Sequence, residues 1–126
     1  MVTGDLVLDE PDPDHWLAGI ASALLGQDLA IGHLEVPHTE SCDELAGYVP
    51  APGAPPANLA ALARAGIDMV SLAGNHVADC GAQGIADTVR GLDANGIAHA
   101  GAGLNLRQDR LPAVRNVRGF RIGLLS

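Results

Sequence analysis

The chain of 126 residues has no lysine and only one each of Trp, Tyr and Phe, and its cysteines number two. Each scarcity excludes something. Seven arginines face fifteen acids, for a net charge of -8 and a pI near 4.7. That balance gives no electrostatic footprint for nucleic acid or an anionic membrane surface. No run of eighteen apolar residues occurs, and Met1 leads into Gly4-Asp5 without a basic then apolar leader, so neither a membrane span nor a secretion signal is visible. The expected location is the cytoplasm. Cys42 and Cys80 lie far apart, without a Cys-x-x-Cys partner or a histidine at zinc-finger spacing. They are expected to be two free thiols in a reducing compartment.

What is present is a sequence able to fold. Apolar residues make up 48% and the mean hydropathy is +0.19, enough for one domain with a buried core. Charge is uneven along the chain: residues 1–100 hold fourteen acids against two arginines, and residues 101–126 hold five arginines against one acid. A solvated surface followed by a basic strand pair accounts for this, although part of the acidic excess can also serve a cation.

Periodicity alternates between strand and helix. Leu17, Ile20, Ala21, Leu24 and Leu25 fall on one helical stripe, with Pro13 near its start and Gly26 at its stop. Residues 29–32 read as a short buried strand. The proline-rich stretch 37–56 reads as a long crossover loop. A helix over 58–65 ends at Gly66 and feeds a strand at 68–73. A third helix, with Ile85, Val89 and Leu92 on one face, ends at Asn95-Gly96, and 97–100 forms another strand. After a loop at 101–109, two strands at 111–117 and 120–125 flank the hairpin turn Arg118-Gly119. The fold class is therefore α/β, a layered sheet with flanking helices.

Candidate chemistry falls at equivalent places on that sheet. Asp5 follows a first strand at 1–4, Glu35 follows the second, and Asn75 with His76 follows the third. In parallel α/β sheets, the carboxyl ends of the strands form the crevice where ligands bind. Carboxylates, an amide carbonyl and imidazoles are donors that Mn, Fe, Zn or Mg accept, and a pair of such ions can activate water and clamp a phosphoryl group. Taken singly, Asp5 reads as a turn residue and Glu35 as a loop carboxylate capping an amide. His15, His38 and His99 are expected to be surface or structural, and Gly101-Ala102-Gly103 a plain turn rather than a phosphate cradle.

Four blocks in order carry a resemblance: TGDLVLDE, AIGHLEVPHT, LARAGIDMVSLAGNHVADCGAQGIADTVRGLDANGIAHAGAGLNL and RGFRIGLLS. Together they resemble the CapA-like capsule or poly-gamma-glutamate biosynthesis proteins, a bacterial family related to calcineurin-like metallophosphoesterases. The resemblance implies a metallophosphoesterase-like α/β fold and a dinuclear divalent-metal centre acting on a small-molecule or polymer substrate. It implies that Asp5, Glu35 and Asn75 are metal ligands, Glu35 able to bridge, and that His76 is the proton donor or phosphoryl-oxygen stabiliser. Asp79 and Gly81 match the family's Asp-x-Gly turn, which implies that Asp79 orients His76 or the backbone rather than binding metal. The chain departs from the family pattern twice, with His33 where Asn is common before Leu-Glu, and Gly74 where Asn is common before Asn-His. His33 is thereby an added candidate for metal or substrate. The later histidine-bearing blocks have no counterpart, so residues 1–126 are expected to be the N-terminal part of one such domain. A non-catalytic part in capsule assembly and an inactive fragment are the alternative readings.

Overall fold

The computed structural model describes residues 1–42 and 53–126. The middle of the crossover loop expected at 37–56 thus lies outside the described residues. Four parallel strands, β1 (Val2–Leu6), β2 (Ile31–Leu34), β3 (Met69–Ser71) and β4 (Ala98–Ala100), lie side by side in chain order. Between them run α1 (Pro13–Leu25), α2 (Leu59–Ala65) and α3 (Gly81–Ala94); a short α4 (Leu106–Asp109) follows, then the antiparallel hairpin of β5 (Ala113–Val117) and β6 (Phe120–Leu124). The expected α/β class is what the chain adopts.

Sequence chemistry explains the element ends. Asp12 stands at φ 56°, a left-handed conformation that Asp tolerates better than most residues, and its carboxylate accepts from the His15 amide at 3.4 Å while Pro13 opens α1. Gly66, at φ 94°, ends α2, where a side chain would be strained. Asn105 caps α4 by accepting from the Gln108 amide at 3.1 Å, so the stretch expected to be a plain loop at 101–109 contains a helical turn. Four residues are too few to show a helical period.

Parallel register sets which face each residue serves. Leu6, Leu34, Val70 and Leu72 join Leu17, Leu24, Leu59 and Leu62 of α1 and α2 in the main core. The opposite face carries Met69 and Ala100, which pack with Ala113, Ile31 and Leu124 beneath the hairpin. The stripe expected on α1 is only partly covered: Leu17 and Leu24 are buried, but Ile20 and Leu25 are exposed.

Two corrections bear on the site. The first strand continues through Leu6, so Asp5 lies within β1 rather than after it, paired in register with His33. Cys42 and Cys80 are not free thiols but form a disulfide with their Cα atoms 4.6 Å apart. Their separation of 38 residues hid this, because the crossover from β2 through α2 and β3 returns the chain to its own starting edge. Among the described residues, no helix is long and apolar enough to cross a membrane.

Candidate functional site

The site is built on one row of the sheet. Asp5, His33 and Ser71 are in register on β1, β2 and β3, and side chains in register on neighbouring strands point to the same face. That is the face of Met69 and Ala100, so the row stands where the hairpin cover ends. Asp5 is exposed and borders an apolar cleft of about 540 Å³ lined by Leu6, Leu8, Trp16 and Leu17 among others. His33 is half-buried, its Nδ1 3.3 Å from Ser71 Oγ, which is in turn 2.6 Å from Ser126 Oγ.

Glu35 follows β2, its amide donating to the Leu6 carbonyl at 3.3 Å. This bond carries the sheet pairing one residue past the strand and holds the half-buried carboxylate at the edge. Beyond β3 the chain turns sharply, with the Gly74 amide donating to Leu72 O at 2.8 Å, and delivers Asn75 exposed and His76 half-buried.

His76 lies between two carboxylates. Its Nδ1 is 2.6 Å from Asp79 Oδ2 and its Nε2 is 3.9 Å from Glu35 Oε1. Asp79 is buried, and the turn that carries it is closed by its own amide donating to the His76 carbonyl at 3.0 Å. A short contact to a buried carboxylate orients the ring through Nδ1 and leaves Nε2 on the side of Glu35.

Behind this edge, the segment after Glu35 is fastened to α3. The His38 amide donates to Thr88 Oγ1 at 2.8 Å, Thr88 Oγ1 donates to the Gly84 carbonyl at 2.7 Å, and Thr39 Oγ1 donates to Asp87 Oδ2 at 2.6 Å. The disulfide adds a covalent tie from Cys42 to the residue directly after Asp79. His38 is wholly buried and its ring Nδ1–H donates to the Val36 carbonyl at 3.1 Å, while Nε2 has no partner among the described residues. Burial, opposed by that bond and by the charge of Asp9, pushes its pKa down to about 4. His38 is structural. His15 packs edge-on against Trp16, and His99 lies 3.2 Å from Asp93.

The expected residues are therefore brought to one edge in two groups, Asp5 with His33 and Glu35 with His76, while Asn75 stands between strand and helix with no side-chain partner among the described residues. As donors they have the right chemistry for a divalent ion. Among the described residues, however, no three His, Cys, Asp or Glu side chains gather closely enough to hold one. The donors here do not by themselves make a metal cage. Ser71, Ser126 and Thr88 carry no motif and were not foreseen; their parts come from lateral contacts that a linear pattern does not encode.

Comparison with known proteins agrees in direction. The model of a family described as "Bacterial capsule synthesis protein PGA_cap" matches residues 1–126. A "Capsule biosynthesis protein CapA" from Bacillus anthracis is 33% identical over 66 residues, which are 52% of this chain and 16% of that protein. The chain is thus aligned with less than a fifth of that relative's length.

Proposed function

The chain belongs to the bacterial capsule synthesis protein family, and from this premise we propose that it contributes to the making of a capsule polymer as a hydrolase of phosphoester or related bonds. The observation that carries the proposal is His76, held at 2.6 Å by Asp79 at the carboxyl edge of a parallel sheet and facing Glu35. An imidazole oriented in this way is an acid–base group whose free nitrogen points away from its anchor. As imidazolium, His76 donates the Nε2 proton to the leaving oxygen, and the Asp79 carboxylate stabilises the charge before transfer. Asp5, Glu35 and Asn75 present oxygen donors on the same edge.

A divalent ion, Mn, Fe, Zn or Mg, belongs to this reading as an expectation of the donor types. With two groups of donors and no cage, the ion would need further donors from outside the described residues, and no step is routed through it here. The name of the B. anthracis relative, a capsule biosynthesis protein, supports the link to a capsule and leaves a non-catalytic part in its assembly as the alternative reading.

The test uses the full-length protein. Divalent metal retained after purification is measured, together with cleavage of chromogenic phosphomonoesters and phosphodiesters, for wild type and Asn75→Ala. The hydrolase reading expects bound metal and at least about a tenfold loss of rate in the variant, the scale on which a lost ligand or positioning contact acts. Absence of metal together with an unchanged rate contradicts it.

A further inference from the structure

We propose that His33 is a positioning residue for the Gly74–His76 turn, and that His33 and Gly74 work only as a pair. The proposal rests on the reading of that turn as the site. Its starting point is space: a Cβ placed on Gly74 would lie 2.6 Å from His33 Nε2 and 2.8 Å from Cε1. Carbon–carbon and carbon–nitrogen contacts in packed proteins sit near 3.5 Å or beyond, so a side chain at 74 forces either the ring or the turn to shift. The leading edge of the imidazole takes the volume that a side chain at 74 would occupy.

The ring is not free to withdraw. His33 is on β2, an inner strand with β1 on one side and β3 on the other. Its Nδ1 is engaged by Ser71 Oγ on β3, and Ser71 is engaged by Ser126 beyond the end of β6. A flat ring held at Nδ1 and seated between Asp5 and Ser71 in the row is a spacer of fixed length from the sheet to the turn. Swinging it away from residue 74 breaks the Ser71 contact. Glycine at 74 lets the backbone close onto the ring, and the next two residues are Asn75 and His76. The imidazole therefore sets how far His76 stands from Glu35, the 3.9 Å gap across which the acid–base group faces its neighbour.

Glycine at this position is thus a requirement of packing rather than of backbone conformation, since Gly74 is not among the positive-φ residues. Loss of the ring and addition of a side chain at 74 should compensate each other. Independent residues give additive effects, whereas residues in contact do not.

The experiment is a double-mutant cycle in the full-length protein over wild type, His33→Asn, Gly74→Ala and His33→Asn/Gly74→Ala, with Ser71→Ala as a variant that frees Nδ1 without adding bulk. Two quantities are read: the pH titration of the His76 ring by NMR and the rate of phosphodiester cleavage. Gly74→Ala is expected to shift the His76 titration and to lower the rate about tenfold. The double variant should come within about threefold of His33→Asn alone, and Ser71→Ala, which loosens the ring, should shift His76 in the same direction as His33→Asn. Additive single effects, or a His76 titration unmoved in every variant while only thermal stability changes, overturn the pairing. If the wild type neither retains metal nor cleaves while the His76 shifts remain coupled, the hydrolase reading fails and the pairing stands. Cleavage by the wild type with uncoupled variants gives the reverse.

Discussion

His76 has its surroundings organised on three sides: Asp79 at Nδ1, Glu35 towards Nε2, and a turn whose start is packed against His33. The other candidates, Asp5, Glu35 and Asn75, are legible as residues because each stands in or just after an apolar strand, Asp5 one residue before the end of β1, and strand ends of a parallel sheet converge. The hydrogen-bond partners were less legible. Asp79 is legible through the family resemblance, as the Asp of an Asp-x-Gly turn, but Ser71 reaches His33 from another strand and Ser126 from the end of the hairpin. Such contacts appear only once register is known. His38 is the other informative histidine, kept neutral by burial. Below about pH 6.5 the unfolded chain takes up a proton that the folded chain refuses until about pH 4, so the stability tied to neutral His38 is full above 6.5 and lost as pH falls through 4. Denaturant midpoints across that window are expected to drop by an amount worth roughly 3 kcal/mol. His38→Leu should flatten the fall; an equally steep fall in that variant would assign the effect elsewhere.

At the scale of elements, α3 is the anchor of the edge. Its first residues meet the disulfide, and its middle accepts the segment after β2 through Thr88 and Asp87. Arg90 and Gln83 also engage Asp87, and with the Thr39 hydroxyl as the largest influence they hold that carboxyl below the usual range. The three longer helices and the hairpin could be read from periodicity and from Arg118-Gly119, both of which stand at positive φ in the turn, whereas α4 could not. The disulfide could not, since two cysteines 38 residues apart carry no spacing signal and meet only through the crossover. Closing a loop of that length removes unfolded-state freedom worth about 3–4 kcal/mol. The paired Cys42→Ser and Cys80→Ser variant is expected to lose stability on that scale in urea unfolding. A midpoint unchanged from wild type, and insensitive to dithiothreitol, would mean the bridge carries no weight. Because Cys80 is bonded to Asp79 along the chain, the same variant should also loosen the His76 turn.

The molecule as a whole is an acidic α/β sheet whose candidate site residues lie along one edge and whose hairpin covers part of one face. Composition and hydropathy pointed to one domain and to the layered fold, because strands and helices alternate along the chain with short apolar stretches between glycine and proline signals. The grouping of the donors was beyond the sequence. Motif order brings Asp5, Glu35, Asn75 and His76 to one edge, but whether three donors meet around a point depends on side-chain directions, and here they stand in two groups. Family membership agrees with the motif order. On the proposed reading, the Gly74–His76 turn is the acid–base end of a hydrolytic site. It is tested most directly by the rate of phosphodiester cleavage by the full-length protein carrying His76→Asn, measured beside wild type at matched thermal stability. The expected result is a loss of about a hundredfold to ten-thousandfold, with Asp79→Asn falling between the two. A His76→Asn protein that cleaves at the wild-type rate would contradict it.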